Sequence, residues 1–324
     1  MNNTNEDSVA VTVCVSTYKH AKYIRKCLDS ILSQKFNHNF EVIVCDDCSN
    51  DGTAEILKEY EKKYPNKFKA IINEQNLGVS RNSLQGRKIA KGKYTCGMEG
   101  DDWWCDEYRL QKQFDFLENH KEYSAVGCNN YFSDPQGNII STKLKKNQTN
   151  KAYKMKYYLK YGYTVHGNSL MYHSDIFPVH DQRYVNLRIA EPTMGDMITR
   201  ILLYDRGPIY VLSDVMLVHR DGTKDQTSFS AQNLTKAIYY SYMYCRIVDN
   251  ITKYLDYKYD LSAMKANRTA LMLQLYHFSK AQVKIDKNDL KRYLKSMPLK
   301  VRIWARLKLV RNMIKAVFKK IAKK

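Results

Sequence analysis

The sequence FEVIVCDDCSNDG, residues 40–52, joins an apolar run to an acidic loop. Its first six residues are mostly apolar and rich in β-branched side chains, which is typical of a strand buried on both faces of a parallel sheet. A second run of this kind, VAVTVCVS, lies upstream at residues 9–16. Between the two runs, apolar residues recur every three or four positions over residues 23–33, as along one face of an α-helix. This order predicts a strand–helix–strand unit with parallel strands.

The same alternation continues downstream of the acidic loop. Helices are predicted at residues 53–63 and 79–91, and strands at residues 68–72 and 93–98. Right-handed crossovers place the loops that follow such strands along one edge of the sheet, where α/β proteins bind ligands.

The character of the sequence changes after Asp102, where the pattern becomes mixed α/β, and again beyond about Asn233, where it is helical throughout. We therefore predict an α/β domain at residues 1–235, with parts at about 9–102 and about 103–235, and a helical, basic region at residues 236–324.

The formal net charge of +20 is concentrated at one end of the chain. Residues 236–324 hold 22 Lys and Arg against 5 Asp and Glu, a net charge of +17, which leaves +3 for the rest. A nucleic-acid-binding protein more often spreads its basic residues over the folded binding face, so we expect no nucleic acid as a partner. Residues 1–8 lack the pattern of a signal peptide, and no apolar run is long enough for a membrane-spanning helix. Eight scattered cysteines then favour a reduced, cytoplasmic setting.

Two acidic loops follow predicted strands. The first contains Asp46 and Asp47, whose carboxylates at the edge of a parallel sheet can accept hydrogen bonds from a ribose or a base; the alternative is that these acids cap the next helix. The second loop, EGDDWW at residues 99–104, has three carboxylates within four residues. These repel one another unless a cation lies among them, and oxygen ligands suit Mg²⁺ or Mn²⁺. The alternative here is a solvated turn before a helix at Asp106.

Five motifs, in this order, resemble those of family-2 glycosyltransferases of the GT-A fold. They are VSTYK at 15–19, DDCSNDG at 46–52, NLGVSRN at 76–82, AKGKY at 90–94 and EGDDWW at 99–104. The resemblance extends over about residues 9–220. It implies that residues 1–235 form a catalytic domain, with a nucleotide-sugar donor half at about 9–102 and an acceptor half at about 103–235. It implies an α/β fold with a mixed, mainly parallel sheet and flanking helices, followed by the helical C-terminal region. It also implies a nucleotide-diphosphate sugar as donor, with UDP as the nucleotide.

The resemblance further implies roles for individual residues. In this family the loop after the first strand and the aspartates after the second hold the uridine, which implies this role for Ser16, Tyr18 and Asp47. The D-x-D motif after the fourth strand holds the ribose and the metal-bound diphosphate. Glu99-Gly100-Asp101 matches it with Glu in the first position, so we expect Asp101 to bind Mn²⁺ or Mg²⁺. Glu99 and Asp102 are expected to contact the donor.

A catalytic base is implied further along the chain. MGDMI at residues 194–198 matches the position of the family's base, which predicts that Asp196 deprotonates the acceptor hydroxyl and that transfer proceeds with inversion. The alternative is that Asp196 caps a helix, where a negative charge is favourable. His219 and Arg220 resemble the family's closing Y-R-x-H region, although here the histidine precedes the arginine. We expect His219 at the metal, Arg220 at the diphosphate, and residues 222–228 to close over the donor.

The tail, residues 290–324, contains 13 Lys and Arg and no acid. Its apolar residues recur at spacings of three and four and predict one helical face: Trp304, Leu307, Val310, Ile314, Val317, Phe318 and Ile321. A basic amphipathic helix with an aromatic residue is typical of a membrane-surface anchor. We therefore expect an anionic membrane surface as a partner, on the cytoplasmic face, and a glycan or lipid-linked acceptor. The alternative is a helix that packs on the body or on a second subunit of a homo-oligomer.

Two other functions remain open from the sequence. A nucleotidyltransferase shares the α/β sheet and the acidic metal loop, but it usually has a Gly-rich basic loop after the first strand, and VSTYKHAKY at 15–23 has no glycine. A non-enzymatic basic protein that binds a membrane or nucleic acid would account for the tail but not for the acidic loops. The sequence favours a metal-dependent glycosyltransferase of the hexosyl or N-acetylhexosaminyl type.

Overall fold

The computed structural model describes residues 8–142, 144–162, 165–190, 194–220, 237–278 and 286–321, with side chains in the last helix as far as residue 313. The chain divides into two compact units, Met1–Gly222 and Thr223–Lys324. The domain boundary predicted at residue 235 and the loop predicted at 222–228 both lie outside the described residues.

The first unit begins with the predicted alternation of strands and helices: β1 (Val11–Thr17), α1 (Ile24–Leu32), β2 (Phe40–Asp46), α2 (Thr53–Lys63), β3 (Phe68–Ile72), α3 (Val79–Ile89) and β4 (Tyr94–Glu99). It continues with β5 (Trp103–Trp104), α4 (Arg109–Asn119), β6 (Ala125–Ser133), β7 (Ile139–Thr142), β8 (Lys151–Tyr153), α5 (Met155–Tyr161), β9 (Met171–His173), α6 (Gln182–Ala190), α7 (Gly195–Arg206) and β10 (Ile209–Arg220).

Local sequence patterns account for the early elements. In β1 nearly every residue is buried, as expected for a strand covered on both faces. In α1 the buried residues are Ile24, Cys27, Leu28 and Ile31, spaced by one helical turn. They pack in one hydrophobic cluster with residues of β1, β2 and β4. Burying an aliphatic side chain of this size contributes about 1.5–3 kcal/mol, so this stripe fixes α1 against the sheet.

Within the described residues, the strands form one ten-stranded sheet in the order β3–β2–β1–β4–β9–β6–β10–β5, with β7 on β6 and β8 on β10. β1 is parallel to β2 and β4, β2 is parallel to β3, and β6 is parallel to β10. β9 runs antiparallel between β4 and β6 and joins these two parallel parts. A mixed, mainly parallel sheet with flanking helices confirms the predicted fold class.

The strand register brings the polar loops to one edge. Ser16 is paired with Cys45 on one side and with Glu99 on the other, so the loops after β1, β2 and β4 leave the sheet side by side. The short strand β5 pairs antiparallel with the end of β10, with Trp103 opposite Val218. The residues just before β5 and at the end of β10 therefore meet at the same edge.

The second unit consists, in its described part, of four helices: α8 (Ala237–Tyr254), α9 (Ser262–Phe278), α10 (Lys287–Ser296) and α11 (Leu299–Ile321). Their core includes Met272, Tyr293, Val301 and Ala305, each at most 1% exposed. This confirms the predicted helical C-terminal region. No helix in the described part of the chain is both long enough and apolar enough to cross a bilayer.

Candidate active site

In the second acidic loop, the side chain of Asp102 is buried, and the residue is 1% exposed. Its Oδ1 accepts hydrogen bonds from the backbone N–H of Arg220 at 2.9 Å and from Nδ1 of His219 at 2.9 Å, and its Oδ2 accepts one from Nδ2 of Asn168 at 2.6 Å. Burial disfavours the charged form of Asp102, but the hydrogen bond and charge of His219 outweigh it and lower the pKa of Asp102. Burial likewise disfavours the charged form of His219, but Asp102 outweighs it and raises the pKa of His219 to about 9. The two residues form an ion pair.

His166 completes a group of three potential metal ligands. Asp102, His166 and His219 each offer one ligand atom, and these atoms lie within 4.8 Å of one another. The two imidazole rings lie 4.1 Å apart, centroid to centroid. Burial and the charge of His219 lower the pKa of His166 to about 4, so its ring is neutral at pH 7, the form that coordinates a metal. One carboxylate and two imidazoles fit a divalent cation.

Two further carboxylates lie beside this group. The Oδ2 of Asp101 is 4.0 Å from Nε2 of His20, and both side chains are 24% exposed. Glu99 is exposed as a residue, but nearby protein atoms partly desolvate its carboxylate. This desolvation, and then the charges of Asp101 and Asp102, raise the pKa of Glu99. Burial and the charge of Asp102 also raise the pKa of Asp101. The acids therefore repel one another, and a cation among them would relieve that repulsion.

A buried polar network fixes the segment that contacts Asp102. Arg109 and Gln113 lie one turn apart on α4, and both are fully buried. Arg109 donates from Nη2 to the carbonyl of Asn168 at 2.6 Å and from Nε to Gln113 Oε1 at 3.0 Å. Gln113 in turn donates to the carbonyl of Ser169 at 2.8 Å. These hydrogen bonds hold the backbone carbonyls of both Asn168 and Ser169. The side-chain amide of Asn168 therefore reaches Asp102 in a fixed orientation.

The first acidic loop is held by hydrogen bonds of its own. Asp46 is fully buried and accepts a hydrogen bond from Ser49 Oγ at 2.5 Å. Asp47 is 4% exposed, and its two carboxylate oxygens accept the backbone N–H groups of Leu77 at 2.7 Å and Gly78 at 3.0 Å. Asp47 thus ties the loop after β2 to the start of α3. Each oxygen of a carboxylate has a second lone pair for another donor, so a contact with a nucleotide stays compatible with this geometry.

Ser16 and Tyr18 lie at the end of β1. Ser16 is half-buried, and its carbonyl accepts the N–H of Gly100 at 3.0 Å. Tyr18 is 42% exposed. The next residue, Lys19, has a left-handed φ of 58° and donates its N–H to Ser49 Oγ at 2.8 Å. These hydrogen bonds join the loops after β1, β2 and β4 into one continuous edge.

Asp196 lies in the first turn of α7 with its side chain 84% exposed. Met194 occupies the N-cap position, so Asp196 is inside the helix. The Oδ2 of Asp196 is 3.9 Å from Nη2 of Arg200, and a Cβ built on Gly167 would lie 3.3 Å from that same oxygen. The exposed carboxylate therefore lies against the residue that follows His166, next to the group around Asp102.

Arg220 is engaged with the backbone around the acidic loop. Its Nε donates to the carbonyl of Asp101 at 3.0 Å, and its Nη1 donates to the carbonyl of Pro135 at 2.5 Å. The guanidinium also lies over the ring of Tyr23, 4.2 Å from its centroid. Arg220 thus connects the second acidic loop to the turn after β6, and its contact with a diphosphate stays a prediction.

The structure therefore brings the predicted residues to one edge of the sheet, and their individual roles stay predictions. The metal roles of Asp101 and His219 stay predictions, and Asp102 is a further candidate ligand. The group that could hold an ion contains Asp102 rather than Asp101, because the pairing of β5 with β10 places Asp102 against His219. Asp101 faces His20 instead, at the rim of the same loop.

Three residues of the site escaped the sequence analysis: His166, Asn168 and Arg109. His166 and Asn168 lie in a short segment, HGN, that matches none of the motifs quoted above. Arg109 falls on a helix with an ordinary amphipathic pattern. Its distinguishing feature is that it is fully buried, and burial can be read from the fold but not from the sequence.

Comparison with known proteins agrees with this geometry. Residues 12–177, about half of the chain, match the family model described as "Glycosyl transferase family 2". The chain belongs to glycosyl transferase family 2.

Several curated relatives share part of their sequence with the chain. An uncharacterized protein of Mycobacterium tuberculosis, Rv1520, is 39% identical over 106 residues, which cover 33% of this chain and 31% of that protein. The uncharacterized glycosyltransferase MJ1057 of Methanocaldococcus jannaschii is 34% identical over 166 residues, 51% of this chain and 56% of that one. The glycosyltransferase GlyA of Streptococcus pneumoniae is 32% identical over 123 residues, 38% of this chain and 17% of that one. The matches thus span at most about half the length of these relatives.

A solved structure extends the similarity to most of the chain. The crystal structure of S. aureus TarS 1–349 in complex with UDP-GlcNAc superposes on this chain with a TM-score of 0.63 at 18% sequence identity, and the match covers 94% of this chain and 89% of that one. The complex of the same TarS fragment with UDP gives a TM-score of 0.59 at 20% identity. At this level of identity the similarity shows a common fold.

Proposed function

We propose that this chain is an inverting glycosyltransferase that moves a sugar from a UDP-sugar to an acceptor hydroxyl, with a divalent cation at the group around Asp102. The observation that carries the proposal is the arrangement at the carboxyl edge of the sheet. Mutually repelling acids and two histidines lie together there, a combination that suits a cation, and the exposed carboxylate of Asp196 lies beside them. Membership of the family supplies the reaction class.

The donor nucleotide would lie along the loops after β1 and β2. Ser16, Tyr18 and Asp47 are at this edge, and Tyr18 offers an exposed ring on which a base can stack. The hydrogen bonds from Leu77 and Gly78 hold the Asp47 carboxylate in place, and its remaining lone pairs can accept a ribose hydroxyl or a base N–H group. The diphosphate would then extend towards Glu99, Asp101 and Arg220.

The residues present fit a divalent cation. Asp102 and His166 would hold it, and His219 would join them by releasing its ring proton as the cation binds, with Asp101 close by. Mg²⁺ takes oxygen ligands, so each imidazole that coordinates favours Mn²⁺ over Mg²⁺. A bound cation supplies charge stabilisation to the departing diphosphate.

Asp196 is the proposed general base. Its exposed carboxylate would accept the proton of the acceptor hydroxyl as the oxygen attacks the anomeric carbon of the donor sugar. The bond between that carbon and the diphosphate oxygen breaks on the opposite face, and UDP leaves with the electron pair. Arg200, 3.9 Å away, orients the carboxylate from the helix side. The result is a glycosidic bond of inverted configuration.

The sugar and the acceptor are proposals of a broader kind. We assign a hexosyl or N-acetylhexosaminyl group as the transferred sugar, and TarS, solved with UDP-GlcNAc, makes that donor the first to test. The acceptor is a hydroxyl of a glycan or of a lipid-linked glycan. The basic tail supports a cytoplasmic enzyme that is bound peripherally to the cytoplasmic face of the membrane. A homo-oligomer is compatible with such membrane binding.

The test compares UDP release from a panel of UDP-sugars with Mn²⁺, with Mg²⁺ and with EDTA. Wild-type protein should release UDP only with a divalent ion. Asp196→Asn should retain UDP-sugar binding, measured as a rise in melting temperature, while turnover falls by about 10²–10⁴-fold.

Asp115→Asn is the matched control for the base. Asp115 is also an exposed helical aspartate with a partner four residues away, Gln111 at 2.8 Å, and it lies on α4. This variant should keep full turnover. Equal activity of Asp196→Asn and wild type would exclude Asp196 as the base, and metal-independent turnover would exclude the cation.

A further inference from the structure

Helix α11 has two apolar sides, and among the residues that the structure describes only one of these sides is covered. On the inner side, Val301 and Ala305 are 1% and 0% exposed and pack in the core of the helical unit. On the opposite side, Leu299, Ile303, Leu307 and Val310 are 63%, 49%, 63% and 53% exposed. We call these four residues the outer face.

The outer face is a continuous stripe. At 3.6 residues per turn its four side chains fall within about 80° of one another on the helical wheel, and they extend over about 17 Å of helix. Val301 and Ala305 lie about 180° from the centre of this stripe. The core therefore fixes α11 in one rotational setting, and that setting points the stripe outward.

Basic residues flank the stripe on both sides. Lys300 and Arg311 border one side on the helical wheel, and Arg302 and Arg306 border the other. Lys300 is paired with Asp260, which lies outside the helix, at 2.8 Å, whereas residues 290–324 contain no acid that could pair with the arginines. Trp304, 38% exposed, lies between Arg311 and the inner side, with Lys300 Nζ 4.6 Å from the centroid of its ring. An aromatic ring at such a boundary suits the headgroup level of a bilayer.

We propose that the outer face of α11 docks on an anionic lipid bilayer, with the helix parallel to the surface. The apolar stripe would enter the boundary between headgroups and acyl chains, while the flanking arginines contact lipid phosphates. Charge decides against the other occupants. Two copies of this face would bring identical basic borders together, which is repulsive, and a nucleic acid would leave the apolar stripe in water. The proposal is independent of the catalytic assignment.

The test is co-sedimentation of the full chain with vesicles of 30% phosphatidylglycerol in phosphatidylcholine, and with phosphatidylcholine alone. Wild type should bind the anionic vesicles at least about tenfold more tightly, since each basic residue near such a surface contributes about fivefold. Binding should weaken from 0.1 M to 1 M salt, because the Debye length falls from about 10 Å to about 3 Å.

The decisive variant is Ile303→Ser/Leu307→Ser/Val310→Ser. These side chains are exposed, so the fold and the melting temperature should be retained, while vesicle affinity falls at least about tenfold at unchanged charge. The matched control is Ile139→Ser/Ile140→Ser on β7, which removes apolar side chains of similar exposure, 51% and 63%, from the first unit. Its vesicle binding should equal that of wild type.

Several results would overturn the proposal. They are unchanged vesicle binding in the triple variant, equal binding of wild type to both kinds of vesicle, and dissociation of an oligomer in the triple variant. The last would show that the outer face is covered by a second copy. UDP-sugar binding measured on the same samples keeps the two assignments apart, because loss of lipid binding with retained donor binding concerns the tail alone.

Discussion

Replacing Asp102 with Asn keeps the size of the side chain but removes its charge and one acceptor oxygen. Oδ1 of Asp102 accepts the N–H of Arg220, and Oδ2 accepts Nδ2 of Asn168. In either orientation, the new NH₂ group would face another donor. His219 would also lose the carboxylate that raises its pKa to about 9 in spite of burial.

The loss of stability follows from this geometry. Breaking a buried ion pair by removing one partner costs about 3–5 kcal/mol. In a unit such as Met1–Gly222, 1 kcal/mol lowers the melting temperature by roughly 2–4 °C, so Asp102→Asn should lower it by roughly 6–20 °C. Asp101→Asn is the matched control. The contact between Oδ2 of Asp101 and Nε2 of His20 spans 4.0 Å with both side chains 24% exposed, and a contact of this kind contributes at most about 1 kcal/mol.

Two assays separate the variants. Thermal unfolding in EDTA measures the stability difference without any metal. Titration of Mn²⁺ by calorimetry, with UDP present, measures the affinity of the ion site. Asp102→Asn should lower the Mn²⁺ affinity at least about 100-fold, more than the 10–100-fold that is typical when an outer-shell partner is removed. Asp101→Asn should lower it about tenfold or less. If Asp101→Asn loses more Mn²⁺ affinity than Asp102→Asn, the ion belongs to Asp101 and our reading of the site is wrong.

Other consequences of the structure can be measured directly. Asn168→Ala removes the donor to Asp102 Oδ2, so we expect a loss of about 1.5–3 kcal/mol in stability and about 10–100-fold in Mn²⁺ affinity; unaltered Mn²⁺ affinity would make the network purely structural. Gly92→Ala would place a Cβ 2.3 Å from the backbone nitrogen of Thr12, and we expect a loss of at least about 2 kcal/mol in denaturant unfolding. Gly97→Ala on β4 meets no atom within 4 Å and serves as its control; equal losses in the two would contradict this account.

The sequence alone predicted the strands and helices of the first hundred residues, because local spacing carries that information. Nearly every residue of β1 and β2 is buried, as their continuous apolar runs predict for central strands. The apolar residues of α1 recur at helical spacing, as predicted for a helix with one buried face. The acidic loops could be predicted as well, since parallel strands with helical crossovers put their carboxyl ends on one edge. Residues 46–47 and 99–102 lie there in the structure.

Partners far apart in the chain were decided by the tertiary structure. His219 is separated from Asp102 by 117 residues, and nothing local indicates that β5 will pair with β10 and bring the two together. The same pairing places Asp102, rather than its neighbour Asp101, against His219, which a motif alone cannot show. In α11 the sequence showed an amphipathic basic helix, with Trp304, Leu307 and Val310 on its apolar face. Only packing could show that Val301 and Ala305 fill the core, because a helical pattern gives the angles between side chains but not which side meets a neighbour.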